Sequence, residues 1–156
     1  MIVIGAKGKI DVEEVLQKLR KFKFAQVLNA DLVCGKEHLE VAYERAKRAF
    51  KEKRNRCKNI EMEFMLYASC KRQIKDALEF IGAKNEGRYA FVFDGISKKE
   101  ARKFVEELGL KVDNRVLRKS IKKLSKFISK EEMKTVDKSF YYDLLFEKMS
   151  SLEVMK

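Results

Sequence analysis

Apolar positions recur with two different spacings along this chain, and the change of spacing predicts an alternation of strands and helices. Short apolar or alternating runs bounded by turn residues are typical of strands. In residues 88–94, Tyr89, Phe91 and Phe93 alternate with smaller side chains, which is a clear strand pattern. Strands are predicted at residues 1–5, 26–33, 88–94 and 110–112. The first strand is expected to end in a turn formed by residues 5–8.

Helical spacing occupies most of the remaining chain. Asp11, Ser97 and Ser129 are suited to accept hydrogen bonds from first-turn amides, so each predicts the start of a helix. Gly82 and Gly109 are expected to end helices. Helices are predicted after Asp11 and over residues 36–53, 62–68, 74–81, 97–108, 114–127 and 129–155. The pattern indicates an α+β fold with helices packed around a small, mostly antiparallel sheet, a helical C-terminal region, and one domain spanning residues 1–156.

A strong local signal lies in residues 61–82, where one helical run ends and another begins. Residues 62–68 are almost continuously apolar, as in a helix buried on nearly all sides. Residues 69–73 form a polar, basic turn before helical spacing resumes. Lys71 and Arg72 would then lie beside a helix N-terminus, where amide groups and the helix dipole attract phosphate. An ordinary helical hairpin with a solvated turn explains the same pattern.

The formal net charge is +12, and two runs of the chain carry much of the positive charge. Two dense basic runs favour a polyanionic partner, with nucleic acid ahead of a membrane surface. A solvated, lysine-rich surface is the alternative, and the sequence leaves open which run would contact the nucleic acid. Glu52 opposes the first basic run, which comprises Arg45, Lys47, Arg48, Lys51, Lys53, Arg54, Arg56 and Lys58. Asp113 opposes the second basic run, which comprises Lys111, Arg115, Arg118, Lys119, Lys122, Lys123, Lys126 and Lys130.

Candidate catalytic groups are few. The chain has one histidine, His38, and three cysteines whose spacing fits neither a disulfide framework nor a zinc site. An enzyme with an unrecognised Cys/His or acid–base site is the alternative reading. Its nucleophile would be Cys34 or Cys70 with His38 as base, although no third orienting group is evident. A capping or packing role for His38 is favoured over catalysis. Because the sequence contains no phosphate-binding loop or metalloprotease motif, we expect a protein that is not an enzyme and needs no cofactor or metal.

The composition also indicates a cellular compartment. An odd number of widely spaced cysteines is typical of free thiols in a reducing cytosol. No apolar run reaches the length of a membrane-spanning helix or has the form of a secretory signal. We therefore expect a cytoplasmic protein that does not insert into a membrane.

A long pattern of apolar, polar and glycine positions runs from about residue 30 to residue 82. Its members are Glu37, His38, Leu39, Ala42, Ala46, Arg48, Ala49, Phe50, Glu63, Leu66, Tyr67, Ala68, Ser69, Arg72, Gln73, Ile74, Ala77, Leu78, Ile81 and Gly82. This pattern resembles the small tRNA-recruiting subunit of the KEOPS complex, the archaeal relative of the eukaryotic PRPK-binding protein. The chain departs from the family at Cys70, where a glycine is expected, and a β-carbon disfavours the positive φ that glycine allows.

The resemblance implies an accessory subunit of a complex that installs threonylcarbamoyl-adenosine beside the anticodon of ANN-decoding tRNAs, with the chemistry performed by another subunit. This chain would bind tRNA at its single-stranded CCA end, which proteins hold by base stacking and charge neutralisation. Base contacts are expected from Tyr67, Arg72, Gln73 and Ile74, and phosphate contacts from Lys71, Lys75, Arg54, Arg56 and Lys58. A purely structural subunit without RNA affinity is the remaining alternative.

The predicted C-terminal helix carries more apolar positions than one packing contact requires. Two neighbouring apolar stripes are typical of a deeply packed helix or of one that offers a face to another protein. The resemblance implies a direct partner, the small kinase-like ATPase subunit of the complex. The sequence leaves open which stripe faces inward and whether both are buried in the monomer. The residues expected to bind the partner are Phe140, Tyr141, Leu144, Leu145 and Met149.

Overall fold

The computed structural model describes residues 1–154, and its centre is a four-stranded sheet. The strands are β1 (Ile2–Lys9), β2 (Phe24–Asn29), β3 (Glu86–Asp94) and β4 (Lys111–Val112). Their spatial order is β2-β3-β1-β4, and each neighbouring pair is antiparallel. The predicted α+β fold with a small antiparallel sheet is confirmed.

Helices cover both faces of the sheet. Helices α1 (Val12–Leu19) and α5 (Lys98–Glu107) pack on one face, around Phe91 and Phe93. The other face is covered by α2 (Lys36–Lys51), α3 (Ile60–Ser69), α4 (Ile74–Ile81) and the C-terminal region. The predicted helix starts at Asp11 and Ser97 are confirmed, because each side chain accepts a hydrogen bond from the amide three residues later.

Two strands end at residues other than those predicted. Strand β1 does not end at Gly5 but continues to Lys9, and Gly5 pairs with Ala90 inside the sheet. Glycine is needed there because an added β-carbon would lie 2.7 Å from the Asp113 carbonyl oxygen. Strand β2 ends earlier than predicted, since the Asn29 side chain accepts a hydrogen bond from the Asp31 amide and starts a 3-10 turn.

The prediction of two long C-terminal helices is wrong. The structure has 3-10 turns at Asn114–Leu117 and Lys138–Phe140, and three helices: α6 (Ile121–Leu124), α7 (Lys130–Met133) and α8 (Tyr141–Val154). Ser120 and Ser129 each accept a hydrogen bond from the amide three residues later, so each begins a new helix inside the amphipathic run. The helix start predicted at Ser129 is confirmed, and Ser129 forms a capping box with Glu132. Met155, where the prediction ended, lies outside the described residues.

Candidate nucleic-acid interface

The predicted basic turn between α3 and α4 is present, and a Schellman motif forms it. Cys70 donates its amide to the Tyr67 carbonyl, and Lys71 donates its amide to the Leu66 carbonyl, both at 3.2 Å. Cys70 itself has φ 59° and ψ 28°, in the left-handed region. This is the position where the family pattern predicts glycine, and the cysteine here adopts the left-handed conformation that glycine tolerates best. The turn therefore carries backbone strain at Cys70.

The turn is followed directly by the N-terminus of α4, which begins at Ile74. Gln73 precedes the helix, and its side chain makes no capping hydrogen bond to the first-turn amides. Arg72, Gln73 and Lys75 are exposed around this end, while Lys71 and Ile74 are half-buried. An uncapped helix N-terminus surrounded by cations is suited to bind an anionic group. We name residues 71–75 the hinge; they include five of the nine predicted RNA-binding residues.

The hinge rests on a chain of aromatic rings. The Lys71 Nζ lies 4.7 Å from the centre of the Phe80 ring, which packs edge-on against Phe127 at 5.2 Å. Phe127 in turn meets the ring of His38 at 5.4 Å. This row ties the hinge to α2 and to the second basic run, since Phe127 follows Lys126. Phe80 was not predicted as a site residue. The sequence did offer a signal, because Phe80 is an aromatic residue outside the apolar face of α4 that Ile74, Ala77, Leu78 and Ile81 form.

Tyr67 does not fit its predicted role as a base contact. Its side chain is only 4 % exposed, so its ring has no free face on which a base could stack. The hydroxyl of Tyr67 interacts with Arg54, and burial raises the pKa of this phenol. In this structure Tyr67 supports α3 from inside and does not contribute surface to the hinge.

The cluster of Arg54, Arg56 and Lys58 lies away from the hinge. These residues precede α3 and the hinge follows it, and a helix of ten residues spans about 15 Å. Arg56 donates from its side chain to the Leu152 carbonyl in α8 at 2.8 Å, and Arg54 pairs with Glu52 at 3.2 Å. The structure therefore does not bring the nine predicted RNA-binding residues into one surface.

A buried carboxylate holds the loop that carries this cluster. Glu63 is 2 % exposed, and its Oε1 accepts hydrogen bonds from the backbone amides of Arg56 and Cys57, both at 2.9 Å. Arg45 adds an ion pair at 3.0 Å to Glu153 in α8. Two members of the first basic run, Arg45 and Arg56, thus help to hold the C-terminal helix against α2 and α3.

The structure resolves which stripe of α8 faces inward. Leu145 and Met149 are fully buried in the core, so their prediction as partner-binding surface is wrong. They belong to the same buried cluster as residues of α2 and α3, two of the elements that contact α8. Phe140 is 53 % exposed, and Tyr141 and Leu144 are half-buried beside it. An apolar surface of these three residues remains accessible at the start of α8.

The alternative of a Cys/His pair finds no support in the geometry. The His38 Nδ1 accepts the Cys34 backbone amide at 3.0 Å, and Nε2 donates to the Ala68 carbonyl at 2.8 Å. Both ring nitrogens thus make structural hydrogen bonds, in agreement with the capping or packing role favoured from the sequence. Burial lowers the pKa of His38 to about 4. Burial raises the pKa of the Cys34 thiol to about 11 and that of Cys70 to about 12, so neither is an activated thiolate at neutral pH.

Two kinds of feature are absent from residues 1–154. No helix in this range is both long enough and apolar enough to cross a membrane. Within the same residues, no group of three or more histidine, cysteine or acidic side chains is arranged to hold a metal ion. The candidate surfaces of the described chain are thus the hinge, the basic runs and the start of α8.

Known proteins resemble this chain over most of its length. The family model described as "Kinase binding protein CGI-121" matches residues 10–153. The "Regulatory protein Cgi121" of Methanocaldococcus jannaschii is 34 % identical over 117 residues, which cover 75 % of this chain and 74 % of that protein. The "KEOPS complex subunit Cgi121" of Pyrococcus abyssi is 34 % identical over 87 residues, which cover 53 % of this chain and 50 % of that protein. These matches confirm the resemblance seen in residues 30–82, and the chain belongs to the CGI-121 family.

Proposed function

We propose that this protein is a non-catalytic accessory subunit of a KEOPS-like complex. In this role it binds the 3′ CCA end of tRNA and the kinase-like ATPase subunit, and thereby supports threonylcarbamoyl-adenosine modification of tRNA in the cytoplasm. The description of its family as kinase-binding and the name of the Pyrococcus relative support the assignment to such a complex. The occupied nitrogens of His38 argue against a catalytic Cys/His pair as the alternative.

The observation that carries the RNA part of this proposal is the uncapped N-terminus of α4 within the basic hinge. Its free first-turn amides and the cations of Lys71, Arg72 and Lys75 would contact a phosphate of the single-stranded end. Ile74 is half-buried and Leu78, one turn later, is 41 % exposed. These side chains offer an apolar surface on which an unpaired base can rest.

The test is tRNA binding by the full chain with Arg72→Glu. We expect the variant to bind intact tRNA roughly tenfold or more weakly, a loss of about 1.4 kcal/mol, because a repulsive charge replaces an attractive one at the hinge. Removing the CCA end of the tRNA should weaken the wild type to a similar degree. Dissociation constants for both proteins and both RNAs, measured at one salt concentration, give the answer.

The matched control is Arg102→Glu, which makes the same charge change at an exposed position of α5 on the other side of the sheet. It should bind intact tRNA within about twofold of the wild type, since two-fold is well under 1 kcal/mol. Equal binding of intact and trimmed tRNA by the wild type would mean that the protein does not capture the CCA end. No binding of either RNA would leave the protein as a structural subunit.

The kinase-like subunit would bind the accessible surface of Phe140, Tyr141 and Leu144. Exposed aromatic and aliphatic side chains of this kind are enriched at the cores of protein interfaces. We expect Phe140→Glu to abolish binding of the kinase-like subunit while the melting temperature of the chain stays unchanged, because Phe140 is largely exposed. Pull-down with the purified subunit and thermal unfolding of the variant measure both quantities.

Leu145→Glu is the contrasting variant, because it places a charge in the core and should unfold the protein. A Phe140→Glu protein that still binds the kinase-like subunit with wild-type affinity would show that the partner docks elsewhere. A Phe140→Glu protein that unfolds would show that this surface belongs to the core.

A further inference from the structure

A concave groove lies between the end of β2 and the chain that follows β4. Its volume is about 490 Å³. One wall is formed by residues after β2 and by Arg88 of β3, and the other by residues 115–126. The residues that line it are Asn29, Asp31, Leu32, Arg88, Arg115, Val116, Arg118, Ser120, Lys122, Lys123 and Lys126. We name it the basic groove, because six cations face one carboxylate there.

Three of these cations are engaged within the protein. Lys123 donates to the carbonyl oxygens of Val33 and Val116 at 2.8 and 2.7 Å and so joins the two walls. Arg88 pairs with Asp31 at 2.7 Å, and Arg115 pairs with Asp113, which lies outside the groove lining, at 2.9 Å. These contacts fix the shape of the groove.

The other three cations, Arg118, Lys122 and Lys126, are exposed. Within residues 1–154 none of them forms an ion pair. Three unneutralised cations on one wall of a preformed groove repel one another, and a polyanion that bridges them relieves this repulsion. The groove is also concave, which suits a strand of nucleic acid better than a flat membrane surface.

Two features connect the groove with single-stranded nucleic acid. Arg118 also lines a neighbouring hollow of about 440 Å³ that contains Tyr142 and Phe146, and the Lys119 Nζ lies 4.6 Å from the Tyr142 ring centre. Cations next to accessible aromatic rings are the usual composition of a single-strand site. On its other side the groove approaches the hinge, since Lys126 precedes Phe127, the ring on which Phe80 packs.

We infer that the basic groove is a second RNA-binding surface, which holds the sugar–phosphate backbone of the same tRNA whose end lies at the hinge. The inference rests on the proposed function and extends it from one contact to two. Phosphates would contact Arg118, Lys122 and Lys126. The hinge then supplies recognition of the end, and the groove supplies affinity that does not depend on the CCA sequence.

The experiment replaces Arg118, Lys122 and Lys126 by glutamine in the full chain and measures affinity for intact and trimmed tRNA at several salt concentrations. Each lost phosphate contact lowers the slope of log affinity against log salt by nearly one unit, so we expect a decrease of about two to three units. The decrease should be the same for both RNAs, because the groove does not contact the CCA end. Arg72→Glu, in contrast, should weaken only the binding of intact tRNA.

The control variant replaces Lys98, Lys99 and Lys103 by glutamine, which removes the same charge from exposed positions of α5. If the groove variant and this control have equal slopes, the groove does not bind RNA, whereas the proposed function stands as long as Arg72→Glu reduces binding. A decrease seen only with intact tRNA would also overturn the inference, because the groove would then belong to the CCA site. If the wild type binds neither RNA, both the function and the inference fail.

Discussion

The first and second basic runs have nearly the same charge in the sequence, yet the fold gives them different neighbours. In the first basic run, Arg45 and Arg56 bond Glu153 and the Leu152 carbonyl of α8. In the second basic run, Arg118, Lys122 and Lys126 line an open groove without ion pairs among the described residues. A run of cations in a sequence therefore indicates a polyanionic ligand only after its internal partners are known, and here those partners lie about a hundred residues away.

The largest expected effect separates the two runs directly. Replacing Arg54, Arg56 and Lys58 by glutamine should cost about 3 kcal/mol of unfolding free energy, because charged hydrogen bonds to α8 and Glu52 are lost. The salt slope of tRNA binding should fall by less than about one unit, since these cations are mostly used inside the protein. Denaturant unfolding and salt-dependent binding of this variant provide the two measurements.

The groove variant should behave in the opposite way, with a reduced salt slope and a free energy of unfolding close to that of the wild type. The contrast disappears if the first-run variant loses two or more units of slope without becoming less stable. In that case the cluster before α3 would be the main phosphate contact.

A second expected effect arises from His38, which packs on Phe127 beside the second basic run. Burial and, to a smaller extent, the charge of nearby Lys123 lower its pKa to about 4, against the opposing effect of the hydrogen bond to the Ala68 carbonyl. The unfolded chain, with a histidine pKa near 6.5, binds the proton more tightly than the folded chain. Stability from the neutral ring is therefore complete above about pH 6.5 and is lost as the pH falls towards 4, with roughly 2 kcal/mol lost at pH 5.

The measurement compares the wild type with His38→Gln, which cannot titrate in this range. The difference in unfolding free energy between the two proteins should shrink by roughly 2 kcal/mol from pH 7 to pH 5. A difference that stays constant over these two units would show that the folded protein protonates His38 as readily as the unfolded chain does.

A third expected effect is a difference in stability between substitutions at two neighbouring lysines of the second basic run. Lys123 donates to two carbonyl groups, so Lys123→Met should cost about 1.5 kcal/mol by leaving them without their charged donor. Lys122→Met, at the exposed neighbouring position, should change stability by less than about 0.5 kcal/mol. Thermal or denaturant unfolding of this pair measures the difference. Equal stabilities would mean that Lys123 does not hold the two walls of the groove together.

The accuracy of the sequence-based predictions follows the range of the interactions involved. Caps such as Asp11 and Ser97 and the buried run in α3 were predicted correctly, because each depends on residues within one or two turns. The breaks at Ser120 and at Lys138–Phe140 were missed, because the amphipathic spacing continues across them. The burial of Leu145 could not be derived, since helical spacing does not say which of two apolar stripes of α8 meets the core. The burial of Tyr67 agrees with the apolar run of α3 and contradicts only its predicted base contact.

The same limit applies to the candidate surfaces. The residues of the hinge are consecutive, so the sequence alone could group them. Arg88 was missed as part of the basic groove, because it lies on β3 and meets the second basic run only through the sheet. A single basic residue at the start of a strand carries no signal of its own.

The smallest expected effect concerns Cys70, in the turn that joins α3 to α4. Helix α3 follows the loop of the first basic run, and Phe80 of α4 packs on Phe127, which follows Lys126 of the second basic run. Its φ of 59° is unfavourable for any residue with a β-carbon. Among variants that both lose the thiol, Cys70→Gly should therefore be more stable than Cys70→Ala by about 1 kcal/mol. At Glu79, an exposed position inside α4, the order should be reversed, with alanine about 1 kcal/mol better than glycine. Denaturant unfolding of the four variants tests this change of sign, and an alanine at position 70 as stable as glycine would mean that the turn relaxes out of the left-handed conformation.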